Sequence, residues 1–403
     1  MSSVTGSFQL MKSLNRSLIL NTIRLNGPIS RAEIAKKTKL TPPTVTNLVA
    51  ELLESKLVRE SEIGVSKGGR KPILLTIDWK SSYVIGLDVG GHRATAVLTD
   101  LNAEVEIQQV QTLPTQLTVK SLLHFLVTMI ENIINDSGIT RRSIIGIGIG
   151  MHGIVNHSKG IGVFAPNFNL RNVPIKDVLQ AQFSIPTYVE NDARALTLGE
   201  AWFGNGIGFE NIICVNLGVG IGSGVILKNE LFHGRNGIAG EVGHTIVDLN
   251  GSKCSCGSYG CLQTVAGGGV LKERVLKELS IGRKSLIQNK VNESGGKITG
   301  EMIHQCAIEG DPLAIEVLAE TGRLLGIGLT NMINFMNPDR IIIGGGVAKA
   351  KEFILTPLKD VVRGHALTPE ARETDIVLSK LGDQGTVIGA VTLVLKSLYT
   401  HSY

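Results

Sequence analysis

Apolar residues first recur at helical spacing over residues 14–25. Leu14, Leu18, Ile19, Thr22 and Leu25 share one face there, and Asn26-Gly27-Pro28 ends the pattern. A second helix follows at once. Ser30 and Glu33 have capping-box spacing, in which the serine accepts from an early backbone N–H and the glutamate reaches back. Ile34, Ala35 and Leu40 supply its buried side. After a tight connection at Thr38-Lys39-Leu40, Thr41 is placed to cap a third helix running to Leu53. Pro42 fits its first turn, where no N–H is needed. Leu57-Val58-Arg59 and Pro72 to Ile77 then predict two strands flanking the turn Lys67-Gly68-Gly69-Arg70-Lys71.

From Tyr83 the period changes to short apolar runs separated by glycine turns. YVIGLDVGGHRATAVLTD predicts a β-hairpin turning at Gly90-Gly91. Ile144 to Gly150, Ile212 to Leu227 and Ile341 to Val347 repeat the theme, with helical stretches at Leu122 to Ile134, Ala193 to Phe203 and Leu313 to Phe335. This second part is α/β. No apolar run approaches the ~18 residues of a membrane span. The first residues lack a secretory h-region, so the expected location is the cytosol, without membrane contact.

Two helices joined by a short turn, the second opening with short polar side chains, form a helix-turn-helix pattern. Thr41, Thr44, Thr46 and Asn47 are its candidates for the major groove, with Arg70 and Lys71 on a basic wing against phosphates or the minor groove. Charge supports a polyanion partner for this segment alone. Residues 1–80 carry a net +7, while the remainder carries −2 of the whole-chain +5. The competing reading is a small three-helix protein-interaction domain. Single-stranded or RNA targets fit less well, because only Phe8 and Trp79 in this segment are available to stack on bases.

The sharpest chemistry lies in the second part. His244, Cys254, Cys256 and Cys261 give H-x9-C-x-C-x4-C, a closed Cys3His set of the kind that holds structural Zn²⁺, with Gly251, Gly257 and Gly260 supplying bends. In a reducing cytosol such clustering favours metal over disulfides, and unligated thiols are the alternative. Cys214 and Cys306 read as small buried hydrophobes. Glycines at 90–91, 218–224 and 344–346 follow strands and are candidates to cradle phosphate, although tight turns explain each alone. Glu190-Asn191-Asp192 ends a strand, and Gly240 to His244 leads into the cysteine cluster. Asp192 is either a proton acceptor for a hydroxyl or a helix cap.

Taken in order, GGRKP (68–72), DVGG (88–91), ENDARALTLGEAWFG (190–204), LGVGIGSG (217–224), GEVGH (240–244), CSCGSYGCLQ (254–263) and IIIGGGV (341–347) resemble the ROK family of repressors, open reading frames and kinases. The fused repressor branch, which includes xylose and N-acetylglucosamine repressors, is the nearer likeness, and it covers nearly the whole chain. The resemblance implies an N-terminal all-α winged helix-turn-helix over residues 1–80 and an α/β actin-like (sugar kinase/ribonuclease H-like) two-lobed domain. Its small lobe would span 81–200, completed by 384–403, and its large lobe 201–383 with the zinc. It implies sugar contacts at Gly153, Asn167, Asn191, Asp192, Glu241, His244 and Gln263, with Asp192 as the kinase general base. Nucleotide phosphates would meet Asp88, Gly90, Gly91, Gly218, Gly220, Gly222, Gly344 and Gly345.

Departures from the kinase pattern bear on activity. His92 and Val219 stand where family kinases have threonines beside the phosphates, and Gln263 replaces a sugar-binding glutamate. ATP and Mg²⁺ are therefore doubtful cofactors. The expected protein is a sugar-responsive repressor whose partners are double-stranded operator DNA, a sugar or sugar-phosphate effector, and a second copy or more in a homodimer or homotetramer. An active ATP-dependent sugar kinase carrying a DNA-binding domain is the alternative, and a protein-binding scaffold the third reading.

Overall fold

The computed structural model describes residues 8–63, 72–293 and 298–400, so Arg70, Lys71 and the rest of the basic wing lie outside the described residues. The chain opens with α1 (Phe8–Asn26), β1 (Ile29–Ser30), α2 (Arg31–Thr38), α3 (Pro42–Glu54), β2 (Val58–Ile63) and β3 (Ile73–Ile77). Its caps are those the sequence predicts. Ser30 Oγ accepts from Glu33 N while Ser30 N donates back to Glu33, and Thr41 Oγ1 accepts from Thr44 N with Pro42 in the first turn. Ile19, Leu20, Ile23, Ile34, Val45, Leu48 and Leu52 are buried where α1 packs on α2 and α3. The segment is not purely helical. β1 pairs with β3 through Ile29 opposite Leu75, completing a three-stranded sheet in the order β1-β3-β2.

The chain continues through β4 (Tyr83–Val89), β5 (Arg93–Asp100), β6 (Val105–Thr112), α4 (Val119–Ser137), β7 (Ile144–Met151), β8 (Ile154–Asn156), β9 (Ile161–Ala165), β10 (Leu170–Val173), α5 (Ile175–Phe183) and β11 (Thr187–Asn191). Then follow α6 (Asp192–Phe203), β12 (Ile212–Leu217), β13 (Ile221–Leu227), β14 (Glu230–Leu231), α7 (Gln263–Ala266), α8 (Gly268–Ser280), α9 (Leu286–Glu293), α10 (Gly300–Ile308) and α11 (Pro312–Met336). The last elements are β15 (Arg340–Gly344), α12 (Glu352–His365), α13 (Pro369–Arg372), β16 (Asp375–Leu378) and α14 (Gly385–Tyr399).

Packing divides these into two compact units. The first holds Met1–Ile149, Ser158–Val189 and Ala390–Tyr403; the second holds Gly150–His157 and Glu190–Gly389. In the first, β4, β5 and β6 run antiparallel within a sheet ordered β11-β7-β4-β5-β6. β6 alternates half-buried and exposed positions, as a strand with one wet face should. Gly146 and Gly148 of β7 let the middle of α14 lie close, since a Cβ there would meet Val394 and the Ala390 carbonyl. At the end of α14 the buried Tyr399 ring lies under the Arg24 guanidinium of α1, 5.3 Å from its centroid.

The second unit is built on a sheet ordered β14-β13-β12-β15-β16, with a β12–β13 hairpin and β12, β15 and β16 parallel. Val215, Ile341 and Ile343 of the sheet pack with Leu325, Leu329 and Ile333 of α11 and Leu358 of α12. Two sets of glycines hold α6 in place. A Cβ at Gly222 or Gly224 of β13 would strike Ala193 or Thr197, and one at Gly389 would lie 1.8 Å from the Ala195 carbonyl oxygen. Close backbone approach on both sides therefore fixes α6, and with it the Asn191-Asp192 end. Among the described residues no helix is long and apolar enough to cross a membrane.

Candidate effector, metal and nucleic-acid sites

On the helix-turn-helix, Val45, Leu48, Val49 and Leu52 turn one face of α3 inward, which leaves Thr41, Thr46 and Asn47 exposed and Thr44 partly so. Lys39, in the left-handed conformation at the end of α2, makes the turn between the two helices. Not every threonine hydroxyl on this face is uncommitted. Thr41 and Thr44 share a 2.9 Å bond, and Thr46 donates to the Pro42 carbonyl at 2.9 Å, so Asn47 presents the freest-standing amide of the four.

Within the second unit, Asn191 caps α6, its Oδ1 accepting from Ala193 N and Arg194 N at 3.0 and 3.1 Å. Its Nδ2 donates to the Gly153 carbonyl at 3.0 Å and to Asp192 Oδ1 at 2.9 Å. Asp192 Oδ1 also accepts from Ala193 N. Burial raises the Asp192 pKa above the ordinary carboxylate value, against the opposing pull of His152, Ala193 N and Arg194. Glu241 is raised in the same direction, first by desolvation and also by Asp192, while Arg194 and His244 oppose it. Two carboxylates thus share a neighbourhood with the Arg194 guanidinium. Their loop is shaped by Gly240, at φ +87, whose carbonyl accepts from Ser223 Oγ, and by Gly243, where a Cβ would collide with the Ile221 carbonyl.

Beneath this end of α6 lies a buried charge network that pattern reading missed. Glu190 Oε1 accepts from Asn191 N at 2.7 Å and from Arg194 Nε at 2.8 Å, and Oε2 lies 2.7 Å from His233 Nε2. Arg194 Nη1 reaches the Ala239 carbonyl at 3.3 Å. Glu190 and Arg194 are both 1% exposed, so each charge persists only because it is paired. The sequence signal that could have disclosed the pair is their i, i+4 spacing across the start of α6.

His244 and the three cysteines converge, with ligand atoms all within 4.8 Å of one another. Cys256 and Cys261 sulfurs are 3.7 Å apart, and Cys254 Sγ is 3.5 Å from His244 Nδ1. A tetrahedral centre with metal–sulfur bonds of about 2.3 Å and a metal–nitrogen bond of about 2.0 Å places sulfurs about 3.8 Å apart and nitrogen about 3.5 Å from sulfur. The set fits. Gly257 and Gly260 adopt φ +95 and +66, and a Cβ at Gly260 would meet the Asp248 carbonyl, which explains the glycines of this loop. Burial opposes ionisation of Cys254, but bonds from Cys256, Gln263 and Cys261 bring its thiol down to about 6. Burial and the neighbouring sulfurs push Cys261 up to about 12. Gln263 Nε2 donates to Cys254 Sγ at 3.2 Å and to Ser255 Oγ at 3.3 Å, so the structure turns this amide toward the cysteine loop.

The glycine loops fall in both units. Asp88, Gly90 and Gly91 sit in the first, where Gly90 N donates to the Arg93 carbonyl and the Asn167 side chain lies over Gly91. Gly218, Gly220, Gly222, Gly344 and Gly345 sit in the second. There, Gly218 and Val219 carbonyls accept from Gly268 N and Gly269 N at 2.9 and 3.1 Å, so the first amides of α8 are committed to the hairpin turn. Gly345, at φ +92, abuts the Leu217 carbonyl and Asn216. Gly153, Asn191, Asp192, Glu241, His244 and Gln263 share the second unit, whereas Asn167 belongs to the first.

Comparison with known proteins matches residues 84–397 to the ROK family and residues 13–59 to a winged helix-turn-helix DNA-binding model. A xylose repressor of Caldicellulosiruptor bescii is 34% identical over 398 residues, covering 98% of both chains. The crystal structure of a ROK family transcriptional regulator, a homologue of the E. coli MLC protein, aligns with TM-score 0.86 at 28% identity, over 96% of this chain and 97% of that one. A ROK family glucokinase from Streptomyces griseus, solved with glucose and AMPPNP, aligns with TM-score 0.69 at 30% identity over 77% of this chain and 99% of its own.

Proposed function

The chain belongs to the ROK family, and from that premise we propose that it is a sugar-responsive transcriptional repressor. Its helix-turn-helix would read operator DNA, and its ROK domain would bind the sugar that alters this reading. The observation that carries the proposal is the coexistence, in one chain, of an exposed α3 face and a cluster of amide and carboxylate groups at the start of α6. Thr41, Thr44, Thr46, Asn47, Arg70 and Lys71 would contact DNA. Asn191, Asp192, Glu241 and His244 would hold sugar hydroxyls, with Gly153 as a further contact.

His244 Nδ1 and the three cysteines would hold one structural Zn²⁺, leaving the other ring nitrogen for the sugar. The metal, when bound, supplies folding energy and a brace for the 240–244 loop. Gln263 then serves the metal loop, because an amide N–H can donate to a thiolate where a carboxylate would repel it.

The xylose repressor likeness makes xylose the first effector to test. The experiment selects duplex DNA bound by the full-length protein from a random pool, then titrates that duplex with and without pentoses, hexoses, amino sugars and their phosphates. One sugar should change DNA affinity about tenfold, equivalent to ~1.4 kcal/mol of coupling. Absence of any duplex preferred over scrambled sequence, or of any sugar that changes affinity, would overturn the reading.

A further inference from the structure

The buried network at the base of α6 contains a second set of metal-ligating atoms. His157 follows β8, His233 follows β14, and Glu190 lies near the end of β11. One ring nitrogen from each histidine and one Glu190 oxygen lie within 4.8 Å of each other. We propose that His157, Glu190 and His233 form a site for one late first-row divalent ion, of the Co²⁺, Ni²⁺ or Zn²⁺ class, separate from the Cys3His centre. Two imidazoles and one carboxylate suit such ions better than Mg²⁺ or Ca²⁺, which favour all-oxygen shells.

The two oxygens of Glu190 have divided roles. Oε1 is committed to Arg194 and to Asn191 N, whereas the partner of Oε2 is His233 Nε2 at 2.7 Å. A metal between Oε2 and Nε2 sets them about 2.9 Å apart at an octahedral angle and about 3.3 Å at a tetrahedral one, a modest opening from the 2.7 Å of the hydrogen bond. His233 then carries its proton on Nδ1 instead of donating it to Oε2. The arginine stays in place, so the carboxylate remains oriented while it turns one lone pair to the ion.

The protein holds the remaining ligands in reach. Phe232 N donates to the Val225 carbonyl and Ala239 N to the His233 carbonyl, which closes the loop carrying His233. Gly237, at φ +71, brings this loop against Val155 and His157. The His157 ring stacks on His233 with centroids 3.8 Å apart and planes 19° from parallel. Lone pairs lie in the ring planes, so parallel rings do not converge on one ion. His157 is exposed and can turn its ring, which supplies both the missing angle and the route of entry. Burial, then the charge of His233, lower the His157 pKa. Burial opposes ionisation of Glu190, but His233 and Arg194 hold its pKa below the ordinary value. With three protein ligands the ion keeps open positions for water or an effector oxygen, and the nearby Arg194 charge makes binding weaker than at the thiolates.

The test titrates Co²⁺ into full-length protein already loaded with zinc and freed of excess metal, and reads bound metal by elemental analysis together with visible absorption. Wild type should take up a cobalt equivalent beyond the zinc, without the intense sulfur-to-cobalt charge-transfer band that occupation of the cysteine site gives. That band, and the retained zinc, report on the Cys3His centre independently. His157→Ala removes an exposed ligand, and His233→Gln keeps a donor for Glu190 Oε2 while removing the imidazole. Each should abolish the extra cobalt and leave zinc unchanged. Failure of wild type to bind the extra cobalt, cobalt found only with the thiolate band, or retention of it by either variant overturns the proposal.

Discussion

At the scale of single residues, Asp192 carries the sharpest expectation. Its Oδ1 accepts from Asn191 Nδ2 and Ala193 N, which orients the carboxylate proposed to accept from a sugar hydroxyl. A bond from a hydroxyl to a charged acceptor contributes about 1.5–3 kcal/mol, so Asp192→Asn should weaken effector affinity at least tenfold while leaving sugar-free DNA affinity intact. Calorimetry beside DNA titration measures both. The pH dependence has a definite sign. Burial raises the folded-state pKa, so the group takes up its proton sooner on acidification, and sugar affinity should fall in a range above that of a free carboxylate. The same shift makes its contribution to folding stability decline as pH rises from the unfolded value through the raised one, then level off. The Asn191-Asp192 pair was legible from its place between a strand and a helix. The Glu190–Arg194–His233 network was not, because a buried ion pair and a solvated one look alike in sequence, and His157 and His233 are 76 positions apart.

At the scale of elements, local rules read the helix-turn-helix well. Both α2 and α3 begin where short polar side chains satisfy early amides. β1 escaped notice because a two-residue strand has no period; its pairing with β3 is a tertiary event. The exposed side of α3 follows from the burial of Val45, Leu48, Val49 and Leu52, and the proposed DNA contacts at Asn47 and Arg70 are expected to play different roles. Asn47→Ala removes an amide suited to base edges, and its loss should change which base is preferred at one operator position, at ~1–3 kcal/mol. Arg70→Ala should instead weaken binding to all duplexes alike and reduce the salt slope by about one. Affinity measured across single-base operator variants at two salt concentrations separates them; unaltered affinity in both variants would remove these residues from the interface. The glycine loops were legible as turns after strands. That α8 commits its first amides to the β12–β13 turn was not, since it depends on where distant elements meet.

At the scale of the whole molecule, two consequences follow from what the chain keeps and what it changes. His244 is proposed both to ligate the metal and to contact the sugar, so metal and effector binding should be linked. Cys256→Ser, or removal of zinc by a chelator, should lower both the unfolding midpoint of the ROK domain and effector affinity, with bound zinc falling from one per chain. Elemental analysis, calorimetry and sugar titration together check this. The second consequence concerns chemistry. The resemblance implies kinase roles for Asp88 and Asp192, and the similar glucokinase was solved with glucose and AMPPNP together. Phosphoryl transfer, however, depends almost entirely on positioning and on donors aimed at the phosphates. In this chain His92 and the 73% exposed Val219 occupy the corresponding turns without the hydroxyls of the kinase pattern. The first amides of α8 are already bonded to carbonyls of the β12–β13 turn. A chain that keeps the proposed sugar-side residues and lacks those two hydroxyls is expected to act as a receptor more than as a catalyst. Purified protein with ATP, Mg²⁺ and the sugar that shifts DNA binding should therefore release ADP no faster than Asp192→Asn does. His92→Thr combined with Val219→Thr restores the two hydroxyls and is the variant in which any residual transfer should rise. Robust sugar-dependent ADP release by the wild type, abolished in Asp192→Asn, would make the chain a kinase that also binds DNA.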